Sequence, residues 1–186
     1  MYYETFIAGI GGQGVLLMGN LLSYYGINDD LNTTFMPSYG VEMRGGMTHC
    51  TIILSDKEIG SPILKNIDSV TIMSPGSWRF AKQVKEGGKL ILNSSLIGNV
   101  KKCEKNNIET YRVPFNKIAE EIGNPKLSNM VALGVIWGIT QPMEFDLDKM
   151  EIAMGKMFGE SKKKFIPGNI AAIKKGIEYT KSVNAE

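Results

Sequence analysis

The sequence predicts an α/β fold: three layers, a mostly parallel sheet with helices on both faces, and a helical C-terminal third. Three observations carry this. Short apolar, β-branched runs alternate with helix-spaced segments over the first two-thirds of the chain. The strand runs are almost continuously apolar, as strands covered on both faces are. Beyond Pro114 the periodicity is helical throughout. With 186 residues against a soft prior of about 150 per domain, residues 1–186 are expected to form a single domain.

The elements follow in order. Tyr3 to Ala8 is a buried strand, and Gly9 opens a glycine cluster. Gln13 to Tyr25 carries Val15, Leu16, Leu21, Leu22 and Tyr25 at helical spacing, with Gly26 as its stop. Thr33 to Met36 is a second strand, ended by Pro37. Thr48 to Leu54 is a third, followed by a turn at Ser55-Asp56-Lys57-Glu58. Ser69 to Met73 and Lys89 to Leu92 are further strands. Between them Ser77 to Val84 is a helix with Trp78, Ala81 and Val84 inward, stopped by Gly87-Gly88. Glu109 to Val113 is the last strand, closed by Pro114. Asn116 can cap Lys117 to Ile122. Ser128 or Asn129 begins an apolar helix through Ile139, whose Ala132, Gly134 and Gly138 suit close packing. Asp146 or Asp148 begins another through Met157. Pro167 is expected as the first residue of a C-terminal helix with Ile166, Ile170, Ile173 and Ile177 on one stripe.

Composition excludes several classes. An apolar fraction of 43% provides a core and rules out disorder over most of the chain. Two cysteines rule out a disulfide scaffold, and a net charge of +2 gives no reason to expect nucleic acid. Met1-Tyr2-Tyr3-Glu4 lacks the basic start of a secretory signal. The apolar run Met130 to Ile139 is too short to cross a bilayer. A cytoplasmic protein without membrane contact is expected. Cys50, Cys103 and the lone His49 cannot build a zinc site or an all-cysteine iron–sulfur cluster. Each cysteine reads as a buried small hydrophobe, with a transient thiol as the alternative.

Gly9-Ile10-Gly11-Gly12-Gln13-Gly14 fits G-x-G-x-x-G, directly after a strand and opening a helix. Such a turn lets backbone approach a ligand, and N–H groups at a helix N-terminus attract phosphate or carboxylate. A dinucleotide site also wants an acidic residue at the end of the second strand. That strand ends at Met36-Pro37-Ser38, and Asp29 and Asp30 precede it, so NAD and FAD are disfavoured. The fold is Rossmann-like without the dinucleotide signature. Tight strand-to-helix packing and a subunit contact are the other reading of these glycines.

A second polar, glycine-rich stretch, Pro37-Ser38-Tyr39-Gly40-Val41-Glu42-Met43-Arg44-Gly45-Gly46, joins two strands. Loops after parallel strands gather on one edge, which puts it beside the glycine turn. Arg44 can meet an anion with its planar fork, oriented by Glu42, and Gly45 and Gly46 leave room for a partner's backbone or a ligand. The alternative is an Arg44–Glu42 ion pair holding the loop. Lys162-Lys163-Lys164 reads as a solvated face, and the eleven methionines as core filler with some suited to a subunit interface.

Three segments together resemble one family. These are Gly9 to Val15, Met36 to Gly46, and Ser55-Asp56-Lys57-Glu58-Ile59-Gly60-Ser61-Pro62. Asn129 to Gly134 and Ile166-Pro167-Gly168-Asn169 add to them. The chain resembles the gamma subunit of 2-oxoacid:ferredoxin oxidoreductases, and equally the matching domain of single-chain pyruvate:ferredoxin enzymes. The resemblance implies one part of an enzyme that oxidatively decarboxylates a 2-oxoacid to its acyl-CoA and reduces ferredoxin. It implies alpha and beta thiamine-binding subunits and a ferredoxin-like delta subunit as partners. Thiamine diphosphate, magnesium and iron–sulfur clusters would sit on those partners. No cofactor would be tightly bound here, with coenzyme A (CoA) the possible ligand. The site residues it implies are Gly11, Gly12, Gln13 and Gly14 as the phosphate-facing turn, and Tyr39, Glu42, Arg44, Gly45 and Gly46 as the loop meeting CoA or the thiamine-binding subunit. No catalytic residue and no metal ligand is expected. The wording of Met36 to Gly40 and Ser61-Pro62-Ile63 looks most like the 2-oxoglutarate type. Branched-chain 2-oxoacids, pyruvate and indolepyruvate stay open as substrates. A stand-alone dinucleotide oxidoreductase and a purely structural subunit stay open as functions.

Overall fold

A computed structural model describes residues 1–40, 45–98 and 107–185. Strand β1 (Tyr2–Ile10) is buried from Tyr3 to Gly9, as befits a central strand. Around it stand β2 (Asn32–Tyr39), β3 (Met47–Ser55), β4 (Ile67–Ile72), β5 (Val84–Asn93) and β6 (Glu109–Val113), in the spatial order β2-β3-β1-β4-β5-β6. β1, β4, β5 and β6 pair in parallel. β3 runs antiparallel to both its neighbours, so β2 regains the direction of β1. The sheet is therefore mixed, with β3 its one reversed strand. The reason is chain length. Tyr39 and Met47 are joined by only seven residues, enough for a hairpin, whereas a parallel crossover takes about a dozen or more.

One face carries the larger core. Tyr3, Ile7, Ile52, Leu54 and Ile91 pack there under helices α1 (Val15–Asn28), α2 (Phe115–Glu121), α3 (Ser128–Thr140), α4 (Leu147–Met157) and α5 (Ile166–Thr180). α3 is apolar on every side and buried from Asn129 to Trp137, the pattern of a helix inside a core. Its small residues meet α5 as expected: a Cβ on Gly134 would lie 2.0 Å from the Ile173 carbonyl oxygen, and one on Gly176 2.2 Å from that of Val131. α4 begins where Asp146 accepts from the N–H groups of Asp148 and Lys149 at 2.8 and 3.2 Å. It is tied to α1 by the Lys149–Asp29 ion pair.

The opposite face is covered more thinly. Phe6, Ala8, Val70, Ile72, Leu90 and Leu92 lie under a single 3-10 segment, Pro75–Gln83. This replaces the expected Ser77–Val84 helix, and Val84 already belongs to β5. Trp78, Ala81 and Val84 are spaced by three, which is the 3-10 period and not the α-helical one.

Several punctuation residues also differ from expectation. Gly26 lies inside α1, where a Cβ would come within 2.8 Å of Leu54 Cδ2; it is a packing glycine and not a stop. Pro37 lies inside β2, an edge strand, where a missing N–H can be tolerated. Gly87 and Gly88 lie inside β5, where the pairing with β4 is irregular and Gly87 takes φ +70°. Pro114, not Asn116, precedes the first turn of α2, and Pro167 is the second helical residue of α5.

Candidate functional site

The chain leaves β1 through α1 toward β2, and leaves β4 through Pro75–Gln83 toward β5 on the other face. β1 and β4 are thus parallel neighbours whose connections diverge. The crevice beyond their C-terminal ends is where α/β sheets bind ligands. The glycine turn occupies it. The Gln13 N–H donates to the Ile10 carbonyl at 3.1 Å, and Gly12 at φ +94° occupies the position of the turn that favours glycine. The Gln13 carboxamide spans the crevice: Oε1 accepts from the Ile10 N–H at 2.9 Å, and Nε2 donates to the Met73 carbonyl at 3.3 Å. Gly9 is glycine because a Cβ would lie 2.6 Å from Gln13 Oε1 and 2.8 Å from Val15 Cγ2.

Gly14 then starts α1 in the left-handed region at φ +73°. A Cβ there would lie 2.2 Å from Asn129 Nδ2, so the first turn of α3 abuts that of α1. Neither helix start is capped by a side chain of its N-cap residue. The start of α1 carries the partial positive charge of unsatisfied N–H groups, whereas α3 continues directly from the 3-10 turn Pro125–Leu127 and its Met130 N–H donates to Asn129 Oδ1 at 3.0 Å. The N-terminus of α1 makes this corner of the rim favourable to negative charge.

The second bend reaches the same place. The Gly11 N–H donates to the Gly46 carbonyl at 2.8 Å, and a Cβ on Gly11 would lie 3.4 Å from the Gly45 nitrogen. Gly45 itself takes φ +74°. The hairpin directs this meeting, because β2 ends and β3 begins on the rim where β1 ends. One expectation is corrected here. The Gly11 N–H holds the other bend and is not free to donate to a ligand. Gly12 is exposed with open space around it, Gln13 bridges β1 and β4, and Tyr39 is 72% exposed beside the bend. Glu42 and Arg44 lie outside the described residues.

Three asparagines on this rim lie outside the expected site residues: Asn93, and also Asn116 and Asn129, which the sequence offers as a cap and a helix start. Asn93 ends β5 and is fully buried. Its Nδ2 donates to the Met73 carbonyl at 3.1 Å and to Asn116 Oδ1 at 2.9 Å. With Gln13 on the same carbonyl, amides link the ends of β1, β4 and β5 to the start of α2. Asn129 adds the contact with Gly14. The signals were a polar residue closing an apolar strand at Asn93 and the place of Asn129 in one of the segments that carry the family resemblance.

The remaining candidates separate. Burial pushes the Cys50 thiol up to about 12, so it is protonated at neutral pH and no nucleophile. His49 faces away from it, stacked on Phe6 at 5.1 Å. Burial, helped by the nearby Arg79 charge, holds its imidazole below the usual range. Cys103 lies outside the described residues. Asp29 is engaged by Lys149 near the C-terminal end of α1. Lys162, Lys163 and Lys164 are exposed. Among the described residues, no three His, Cys, Asp or Glu side chains cluster as metal ligands, and no helix is long and apolar enough to cross a membrane.

An α/β sheet with a glycine turn at its switch point and a second glycine bend bonded to it defines the class. Residues 4–179 match the sequence model of the pyruvate ferredoxin/flavodoxin oxidoreductase family, and the chain belongs to that family. It is similar to the ketoisovalerate oxidoreductase subunit VorA of Methanothermobacter marburgensis, with 33% identity over 94% of this chain and 36% of that one. The chain thus spans about a third of the length of those relatives. It is 29% identical to the 2-oxoglutarate synthase subunit KorC of Methanocaldococcus jannaschii over 98% of this chain and 96% of that one. Among solved structures, a keto/oxoacid ferredoxin oxidoreductase gamma subunit from Geobacter sulfurreducens superposes with a TM-score of 0.76 at 26% identity, over 95% of this chain and 96% of that one. The 2-oxoglutarate:ferredoxin oxidoreductase of Magnetococcus marinus shares the fold, with a TM-score of 0.86 at 16% identity over 100% of this chain and 32% of that one.

Proposed function

We propose that this chain, as a single gamma-type domain, is a non-thiamine-binding subunit of a cytoplasmic 2-oxoacid:ferredoxin oxidoreductase. The assembly would convert a 2-oxoacid and CoA to acyl-CoA and carbon dioxide, with both electrons passing to ferredoxin. 2-Oxoglutarate is the favoured substrate, because the relative spanning this chain from end to end carries that name. Branched-chain 2-oxoacids are the second reading, supported by the ketoisovalerate relatives. Thiamine diphosphate, magnesium and the iron–sulfur clusters belong, in this reading, to alpha, beta and delta partners.

The contribution assigned to this chain is to receive CoA and to pack against the thiamine-binding core. The bond from the Gly11 N–H to the Gly46 carbonyl supports this best. It joins the two bends beside an uncapped helix N-terminus, a setting that favours the phosphates of CoA. Arg44 would neutralise phosphate charge from the second bend with a bidentate fork, and Tyr39 would border the same ligand. The chain's tasks are binding and orientation, and it contributes no group to bond breaking.

Arg44→Ala in the assembled complex tests the assignment. A rise in the CoA concentration needed for half-maximal rate, by about tenfold, is expected for loss of a charge-assisted contact. An unchanged CoA dependence with unchanged assembly would remove Arg44 from the site.

A further inference from the structure

The face of the sheet opposite the helices is buried over β1, β4 and β5 and at Ile53 and Ser55 of β3, but exposed at Met36 of the edge strand β2. Met36, Thr51 and Phe6 stand in register across three strands there. Met36 is 46% exposed, and Ile63, on the segment alongside, is 69% exposed. Between them runs a cleft of about 430 Å³. Its wall is fixed: the buried Glu4 carboxylate accepts from the N–H groups of Lys65 and Asn66, each at 2.8 Å. Past Phe6 the surface continues into His49 and Phe80, with the Arg79 guanidinium 4.9 Å above the Phe80 ring. Lys65 and Arg79 border the patch, and neither is in an ion pair among the described residues.

We propose that this exposed edge of the sheet face, centred on Met36 and Ile63, docks the polypeptide that corresponds to the other two-thirds of the longer ketoisovalerate relatives, through an apolar segment flanked by acidic side chains. This rests on the subunit reading above and adds where the contact lies. Two observations favour this occupant. The longer relatives carry this domain as 36% of their length, so most of their chain is protein that a domain like this one adjoins. The two bordering cations are exposed and make the border of the patch complementary to a partner surface that carries carboxylates. The face is also continuous with the rim, since β2 and β3 run directly into the bend at Gly45 and Gly46. A partner seated here borders the crevice, which ties docking to ligand capture. Side-by-side exposed apolar residues around a preformed cleft are the usual mark of such a surface.

The test is assembly of the full chain, co-expressed with the thiamine-binding chains of its own source and measured by size-exclusion chromatography with light scattering. Met36→Glu with Ile63→Glu is expected to weaken assembly by about tenfold or more, the scale of losing interface anchors. Ile152→Glu on α4, an exposed position on the helical side, is expected to assemble normally. Lys65→Glu with Arg79→Glu, both surface changes that leave the core intact, should weaken assembly and change its salt dependence even if the apolar double variant misfolds. Wild-type failure to assemble would overturn the subunit reading, and the docking face with it. Normal assembly of both double variants would overturn the docking face alone. So would loss of self-association of the isolated chain with assembly intact, which would mark a contact between copies.

Discussion

Two helix glycines are expected to respond to alanine with opposite signs. In a helix interior Gly→Ala gains roughly 1 kcal/mol from backbone propensity alone. At Gly134 the added methyl group would lie 2.0 Å from the Ile173 carbonyl oxygen and 2.8 Å from the carbonyl carbon. Both atoms are backbone of α5 and cannot swing aside. Restoring an ordinary contact of 3.4 Å needs α3 and α5 to separate by roughly 1.4 Å. Overpacking of this kind costs up to about 3 kcal/mol or more, and gaps of about 1 Å forfeit up to half of the dispersion along the seam. The net loss is about 2 kcal/mol or more, so Gly134→Ala should melt roughly 4–8 °C lower, at about 2–4 °C per kcal/mol for a chain of this size. At Gly155 on α4 nothing lies within 4 Å of the added carbon, and the same change should raise the melting temperature by roughly 2 °C. Scanning calorimetry of both variants decides. A Gly134→Ala protein that melts above wild type would refute the close α3–α5 seam.

Two further outcomes concern titratable groups. The His49 imidazole is held below its ordinary value by burial first and Arg79 second. The unfolded chain therefore takes up a proton before the folded one does. The stability due to neutral His49 is complete above about pH 6.5 and is lost as pH falls through the folded value. His49→Gln should flatten the acid side of the stability profile, read as urea midpoints between pH 7.5 and 5; an unchanged slope would show that His49 is not buried against Phe6 and Phe80. Cys50, pushed up to about 12, should resist iodoacetamide at pH 8 until the chain is unfolded in denaturant. Rapid native labelling of the Cys50 peptide by mass spectrometry would contradict its burial under Gly19.

What the sequence disclosed depended on how local each signal was. The turn at Gly11 to Gly14 and the apolar helix over Ser128–Thr140 follow from spacing, because their periodicities are properties of one segment. The reversal of β3 was not legible, because strands expected over Thr33–Met36 and Thr48–Leu54 leave a connection of about the dozen residues a crossover takes, and an apolar strand looks alike in either direction. Gly26 and Gly88 read as stops because a glycine's role depends on its neighbour. Leu54 fills the space at Gly26, and a Cβ on Gly88 would lie 3.0 Å from the Asp68 carbonyl oxygen. Pro37 is compatible with a strand only at a sheet edge, and edge position is a tertiary fact. Within the candidate site, the two glycine bends were legible as motifs and their shared rim followed from strand order. Asn93, Asn116 and Asn129 were not, since their partners come from distant elements and isolated asparagines read as caps. The engagement of the Gly11 N–H was invisible for the same reason: its acceptor lies 35 residues away, at Gly46.

Hydrogen–deuterium exchange in the assembled complex, with and without CoA, decides whether the rim takes the cofactor. Slower exchange on CoA addition is expected in two peptides, one spanning the turn and first helical turn from Gly11 to Met18, the other the bend from Tyr39 to Gly46. Saturating CoA that supports turnover while leaving both peptides unchanged would contradict it and leave the glycine bends a purely structural junction.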